Sequence, residues 1–451
     1  MTAFTSCNPA SGEVVYTRPA LSADSLPPQL AALRRAQHAW SHLATAERAE
    51  RLLLLADQLA ASRHALAALV SLEVGKLERE CLAEIDKSVQ LIRYYADLAP
   101  TLLASKDIAT GASKSGVAFE PLGIVLAIMP WNYPIWQVLR FAVPALMSGN
   151  ACLVKPAPSV PQCSALLLDI VRRAGLAVLD VAWIDHEAVD DAIRGCDAVA
   201  FTGSTTTGRQ IAAMAGRHLK KTVLELGGSN PFIVLADADV EAAASEAAHS
   251  RFRDAGQSCN AAKRMIVVPE IADDFVAAFL EHVRALVPGH PADAATTLAP
   301  LTRADLREAL HAQVLDAQGH GAQLLAGGIM PHGAGFYYPA TVLDHVNSAC
   351  RIYHEEVFGP VASILRAANV DDAIRLANDT PFGLGATIFS ADTEQAWRLG
   401  REIEAGAVFI NRYTSSDLRL PFGGVKASGY GRELSEFGLY EFVNVKTYWQ
   451  K

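Results

Sequence analysis

Cysteine is scarce in this chain and shows no pairing pattern: Cys7, Cys81, Cys152, Cys163, Cys196, Cys259 and Cys350 are odd in number and contain no C-x-x-C. That argues against a disulfide-dense scaffold and fits a reducing compartment. Blocks of positive charge are missing as well. With 39 Lys and Arg against 48 Asp and Glu, the net charge of -9 argues against nucleic acid or an anionic membrane as a partner. The most apolar stretch, from Val117 onward, is cut by Glu120, Pro121, Gly123 and Pro130, too often for a membrane-spanning helix. The opening M-T-A-F-T-S-C-N-P-A has no basic segment ahead of an apolar one, so no secretory signal is expected and a cytoplasmic location is. His38, His42 and His64 are scattered, no H-E-x-x-H occurs, and no metal site is expected.

What is present is ample apolar material. A hydrophobic fraction of 51% over 451 residues exceeds what a single core usually absorbs, so two or three domains are expected. Gln29 to about Leu98 is rich in Ala, Leu, Arg and Glu, with an apolar stripe that predicts two or three long helices. From Ser115 the texture changes. Short apolar runs at Ala151–Val154, Ala198–Thr202, Thr222–Leu226, Phe232–Leu235 and Met265–Val268 alternate with helical stretches, which predicts an α/β fold with mostly parallel sheets. The C-terminal E-F-V-N-V-K-T-Y-W is an extended strand that needs a partner edge, in this subunit or another.

Five places carry possible chemistry. Asp254 to Arg264 reads D-A-G-Q-S-C-N-A-A-K-R and sets Cys259 in a polar turn, where a thiol can be reactive; a structural cysteine that happens to fall in a turn is the other account. Glu225 sits in L-E-L before Gly227 and Gly228, as a general base or as one half of a salt bridge. Asn132, between the prolines of P-W-N-Y-P, is an oxyanion donor or a cap. Lys155 ends a strand before two prolines, placed for a ribose or phosphate or simply for solvent. The turn Gly203 to Gly208 can offer backbone N–H groups to phosphate, although it matches neither G-x-G-x-x-G nor a triphosphate loop.

Seven ordered motifs resemble the aldehyde dehydrogenase superfamily over nearly the whole chain. They are P-W-N-Y-P at Pro130, K-P-A-P at Lys155, F-T-G-S-T-T-T-G at Phe201, L-E-L-G-G at Leu224, G-Q-S-C at Gly256, E-E-V-F-G-P at Glu355 and P-F-G-G-V-K-A-S-G at Pro421. The 34-residue separation of Glu225 and Cys259 matches the family's. The resemblance implies a Rossmann-like cofactor domain (1–110 and 129–226), an α/β catalytic domain (227–420) and a small β oligomerisation element (111–128 and 430–451) that joins a homodimer or homotetramer. It implies Cys259 as nucleophile, Asn132 as oxyanion donor and Glu225 as base. NAD or NADP contacts are implied at Trp131, Lys155, Pro158, Ser159, Gly203, Ser204, Gly208, Leu226, Glu356 and Phe358.

One position departs from many NAD-specific relatives: Pro158, followed by Ser159, stands where they carry glutamate. That removes a repulsion against a 2'-phosphate and leaves both cofactors open. Within the family the chain looks most like short bacterial succinate-semialdehyde dehydrogenases. The implied substrate is a short aldehyde with a distal carboxylate, held by Arg140, eight residues after Asn132. Tyr133, Trp136, Ser258, Ser416, Arg419 and Phe422 are further candidate contacts. A broad aliphatic, aromatic or aminoaldehyde dehydrogenase, and a non-catalytic relative, are the alternatives.

Overall fold

The helix-rich N-terminal stretch forms four helices rather than two or three in the computed structural model, which describes residues 3–451: Leu26–Ser41, Thr45–Ala61, Arg63–Val74 and Glu78–Leu102. The breaks near His42 and at Ser62 use neither Gly nor Pro, so the apolar pattern runs straight through them. Only the third break is marked, by Gly75 in the left-handed region (φ 86°). On the fourth helix Cys81, Ile85, Ser88, Val89, Ile92, Tyr95 and Ala99 form one buried stripe. Ahead of these helices, Ala3–Cys7 and Val14–Pro19 pair as a hairpin around the N-P-A-S-G turn.

The first large sheet is built from Ile124–Ile128, Ala151–Lys155, Leu179–Val181, Ala198–Thr202 and Lys221–Glu225, all parallel. Numbered along the chain, they lie in the order third, second, first, fourth, fifth, and Gly429–Tyr430 adds an antiparallel edge to the fifth. Ile124, Val125, Leu126 and Ala127 are fully buried, which is why this strand reads as a continuous apolar run rather than an alternation. The chain reverses direction across the sheet between the first and fourth strands. Beyond their carboxyl ends lie the P-W-N-Y-P and Gly203 turns, and a crevice at such a switch point is where a dinucleotide binds.

The second sheet has seven strands in the order Gln323–Ala326, Thr341–Asp344, Val361–Arg366, Ala262–Val267, Asn230–Val234, Ala386–Phe389 and Val408–Ile410, parallel except for the first. Phe232 and Val234 face one apolar cluster, while Ile233 and Leu235 face another, so both surfaces are covered. Leu226 to Ser229 lead the chain from the first sheet into this one, and it returns between Ile410 and Gly429. Ser428 braces the outgoing link: its hydroxyl donates to the Gly227 carbonyl (2.6 Å) and accepts from the Gly383 N–H (2.9 Å).

The expected boundary of the small β element is corrected, and the partner of its C-terminal strand is found. Lys114–Pro121 does belong to a separate three-stranded sheet, but Ile124–Ile128 is the centre of the first large sheet, so the boundary at 128 falls too late. Pro121 and Gly123 (φ 135°) turn the chain out of one sheet and into the other. The C-terminal strand Val443–Gln450 finds its partner within its own subunit, pairing with Lys114–Pro121 along all eight residues.

Gly429 allows the edge strand to close on the strand that ends in Glu225. A Cβ there would lie 1.9 Å from the Leu224 carbonyl oxygen, at φ 109°. Gly429→Ala is expected to destabilise the protein by roughly 2–4 kcal/mol, from strain and overpacking together, and to lower activity. Thermal unfolding with residual-activity measurement checks this; an unchanged midpoint would contradict the close packing described.

Candidate active site

The turn before Cys259 is strained. After the helix Val240–Phe252, Asp254 (φ 53°) and Ala255 (φ 52°) both adopt left-handed backbone, followed by Gly256 (φ 71°). Non-glycine residues resist that region by roughly 1–2 kcal/mol each. Here the surroundings hold them. The Asp254 carboxylate meets Lys76 Nζ (3.2 Å), Arg253 Nε (3.1 Å) and the Tyr133 hydroxyl, and its N–H donates to Glu80 Oε1 (2.8 Å). Arg251, fully buried, donates to the carbonyls of Gly256 (2.6 Å) and Gly359 (2.8 Å). The Gln257 side chain accepts from the Thr302 N–H (2.9 Å).

Cys259 is half-buried and opens onto a cavity of about 590 Å³. Three helices wall this space with one face each. Glu78–Leu102 contributes Glu80, Ala83, Glu84 and Lys87; a second helix, Trp136–Met147, contributes Trp136, Gln137 and Arg140; Val240–Phe252 contributes Ser245, Ala248, His249 and Phe252. The spacings of three and four residues are those of single helix faces. Of the candidate substrate contacts, Tyr133, Trp136, Arg140, Ser258, Ser416 and Phe422 line this cavity with Cys259. Arg419 does not. Its side chain is 77% exposed and forms a two-point pair with Asp417 (2.9 and 2.7 Å), which corrects that expectation.

Burial disfavours the charged form of both reactive groups. Burial pushes the Cys259 thiol up to about 11, against the pull of Arg140 and Lys263. Burial also holds Glu225 well above the usual carboxylate range, and the neighbouring Glu433 adds to this; Arg140 and Arg432 oppose it. Neither Glu225 carboxylate oxygen has a hydrogen-bond partner among the described residues. Arg140 forms a buried ion pair with Glu433 and lies over the Phe422 ring (4.7 Å). Its charge is therefore paired, but Nη2 is buried with no hydrogen-bond partner among the described residues, so the guanidinium keeps a donor to spare in the cavity. Asn132 donates to the Gln257 carbonyl (3.0 Å), which seats its amide against the Cys259 turn. An amide NH₂ carries two hydrogens, so one remains for an oxyanion.

The double glycine after Glu225 has a spatial reason. A Cβ on Gly227 would stand 2.3 Å from Glu356 Oε2, and one on Gly228 would stand 2.9 Å from the Cys259 carbonyl. Glu356 accepts from Lys263 Nζ (2.6 Å) and from the Gly228 N–H (3.1 Å). Lys263 also donates to the carbonyls of Gly228 (2.5 Å) and Cys259 (3.2 Å). The Phe358 and Trp131 rings meet edge to face at 5.7 Å.

The residues at the switch-point crevice fit a dinucleotide. Lys155 ends its strand only 4% exposed, and burial pulls its amine down to about 8, against the charge of Asp185. Ser159 has a buried hydroxyl without a hydrogen-bond partner, and Pro158 is exposed beside it. Ser204 caps the helix Thr205–Arg217 through the Thr207 N–H (3.3 Å), so Gly203 and Ser204 stand at a helix N-terminus, where phosphate is favoured. Gly208 lies against Leu226: a Cβ would come within 2.4 Å of the leucine side chain. No group of three or more His, Cys, Asp or Glu suited to a metal ion occurs among the described residues.

Sequence reasoning missed Lys76, Glu84, Lys87, Lys263 and Glu433. Lys263, four residues after Cys259, and Glu433 in G-R-E-L-S lie in or near quoted motifs and were within reach. Lys76, Glu84 and Lys87 lie on the helical stretch read as scaffold, where charged residues resemble an ordinary solvated face.

With this geometry in hand, comparison with known proteins adds the lineage. A family model described as the aldehyde dehydrogenase family matches residues 1–448. The succinate semialdehyde dehydrogenase Sad of Escherichia coli K12, named for NAD(P)+, is 43% identical over 449 residues, covering 99% of this chain and 97% of its own. An NADP+ succinate-semialdehyde dehydrogenase of Mycobacterium ulcerans is 45% identical, with 98% of each chain covered. The crystal structure of succinic semialdehyde dehydrogenase from Streptococcus pyogenes with NADP+ superposes with a TM-score of 0.96 at 34% identity, covering 99% of each chain.

A thiol held near 11 makes a specific pH signature. In the enzyme without cofactor, alkylation of Cys259 by iodoacetamide is expected to accelerate about tenfold per pH unit from pH 7 to 10, because the thiolate fraction rises at that rate below the pKa. Stopped-time mass spectrometry, with Cys259→Ala as control, measures it. A plateau by pH 8 would mean that the thiol is ionised more easily than its burial allows.

Proposed function

The chain belongs to the aldehyde dehydrogenase family, and we propose that within it the physiological substrate is succinate semialdehyde or a similar short aldehyde with a distal carboxylate. The observation that carries this reading is the cavity above Cys259. Its aromatic walls, Trp136, Tyr133, Phe252 and Phe422, suit a short carbon chain, and its lining includes four cations, Arg79, Lys87, Arg140 and Arg253. The relatives named as succinate-semialdehyde dehydrogenases support the same choice.

The chemistry follows from the residues. Cys259 loses its proton to solvent water and its sulfur bonds to the aldehyde carbon, the C=O π electrons moving to oxygen to leave a thiohemiacetal oxyanion. The Asn132 amide and the Cys259 backbone N–H are the donors proposed for that oxygen. When bound, the nicotinamide supplies the hydride acceptor. Collapse of the adduct leaves a thioester on Cys259, and Glu225, once ionised, takes a proton from water so that hydroxide attacks it. A carboxylate made costly by burial is a stronger base than an exposed one, which suits Glu225 to this step.

For the cofactor, we read the site as accepting NADP as well as NAD. Pro158 places no negative charge beside Lys155, and Lys155 offers a point charge to a 2'-phosphate. The small sheet supports a homodimer or homotetramer: its C-terminal strand leaves one edge open and exposes Val445 (57%), Tyr448 (50%) and Trp449 (59%). We take the protein to act in the cytoplasm.

A broad-specificity reading competes because the aromatic walls also suit neutral aldehydes. Steady-state kinetics on succinate semialdehyde and neutral aldehydes, each with NAD and NADP, separates the two; equal kcat/KM across the panel would sink the carboxylate reading. Glu225→Gln is expected to release one equivalent of reduced cofactor in a burst and then turn over at least about 100-fold more slowly, as the thioester accumulates. Light scattering of a chain ending at Phe442 is expected to show a smaller assembly than the full chain.

A further inference from the structure

We propose that Lys263 is a positioning residue that joins the nucleophile to the cofactor site: one buried ammonium holds the Cys259 carbonyl, sets the field at its thiol and aims the Glu356 carboxylate at the cofactor. The last part rests on the reading of Glu356 as a cofactor contact.

Three segments of the chain converge on this one group. Lys263 Nζ donates to the carbonyl of Gly228 (2.5 Å), in the link between the sheets, to the carbonyl of Cys259 (3.2 Å), and to Glu356 Oε1 (2.6 Å). An ammonium has three hydrogens, and all three are used. Lys263 lies on the strand Ala262–Val267, four residues after the nucleophile, and is fully buried.

Two of these acceptors have a second donor. The Cys259 carbonyl accepts from Asn230 Nδ2 (2.9 Å), and Glu356 Oε1 accepts from the Gly228 N–H (3.1 Å). What Lys263 alone brings to them is charge. Burial pulls its amine below the usual value and Arg251 adds to that, while Glu356 opposes both. A buried cation is costly unless it is paired, so the Glu356 carboxylate is what keeps this one ionised.

The pairing also fixes the carboxylate. Both hydrogen bonds to it end on Oε1. Oε2 receives none among the described residues and lies over Gly227, where a Cβ would stand 2.3 Å away. The Glu356 side chain keeps 20% of its surface exposed. A carboxylate pinned by one oxygen presents the other in a set direction, and an anionic acceptor of this kind takes hydroxyl donors such as those of a ribose.

Four charged groups act on the thiol. Arg140 and Lys263 favour the thiolate, whereas Glu356 and Glu225 oppose it. Lys263 and Glu356 are therefore a pair whose members push the thiol in opposite directions, which gives the test its sign.

The test measures Cys259 alkylation by iodoacetamide at pH 8 in the full-length enzyme without cofactor, and NADPH binding by fluorescence titration. Below its pKa a thiol reacts in proportion to its thiolate fraction, so each unit of pKa is about a factor of ten. Glu356→Gln is expected to react about 3- to 10-fold faster than the wild type. The double variant Lys263→Met/Glu356→Gln, which buries no unpaired charge, is expected to react about 3- to 10-fold more slowly than Glu356→Gln. Loosening of the turn alone would move both in one direction. Glu356→Gln is expected to bind NADPH more weakly than the wild type, and the double variant about 3-fold more weakly again, because the side chain at 356 has lost its anchor. Equal alkylation rates in the two variants would overturn the proposal; so would equal NADPH affinities in the two when Glu356→Gln itself is weakened. If Glu356→Gln binds NADPH as tightly as the wild type, the reading of Glu356 as a cofactor contact fails and takes the aiming role of Lys263 with it.

Discussion

One buried ammonium ties the site together. Lys76, 2% exposed, lies between Glu84 (2.8 Å) and Asp254 (3.2 Å) and 3.7 Å from the Tyr133 ring centre. Burial opposes its charge, but the two carboxylates outweigh it and hold its pKa well above the usual value. Asp254 stays low for the complementary reason: burial would raise it, and Lys76, Arg253 and Tyr133 more than offset that. The magnitudes decide the outcome. Left-handed backbone at Asp254 and Ala255 costs roughly 2–4 kcal/mol in all, whereas removing one partner of a buried ion pair costs about 3–5 kcal/mol. The network is strong enough to keep the turn, and the turn is what carries Cys259. Through its other oxygen, Glu84 takes the first N–H groups of the helix that bears Arg140, so one cluster sets two walls of the cavity.

A second buried cluster lies beside the cysteine. Glu225 and Glu433 share the neighbourhood of one guanidinium, Arg140, and both carboxyls are pushed up, chiefly by burial. The thiol is pushed up by the same cause. Burial thus disfavours the charged form of both the thiol and the carboxyl. Arg140 acts electrostatically on Cys259, Glu225 and Glu433 at once.

These clusters work because two sheets meet over a link four residues long. Strand order in the first sheet creates the switch-point crevice, and the fifth strand of that sheet delivers Glu225 to the junction. The second sheet brings the Cys259 turn in on the strand that follows it, Ala262–Val267. Gly227 and Gly228 leave the space into which Glu356 and the Cys259 carbonyl fit, so the link is as much a packing device as a connection.

The sequence by itself determined the fold class, the parallel strands and the identities of Cys259, Glu225 and Asn132. Apolar runs, turn residues and motif spacing are local properties, and local patterns survive in one dimension. Helix breaks at Ser62 and near His42 stayed hidden because no Gly or Pro marks them, and Ile124–Ile128 was assigned to the wrong sheet because pairing is not written in a strand's own residues. Only the tertiary structure decided which charges meet. Arg140 and Glu433 are 293 positions apart, and Lys263 and Glu356 are 93 apart. What a buried cation does depends on partners that distant in the chain, and folding alone brings them together.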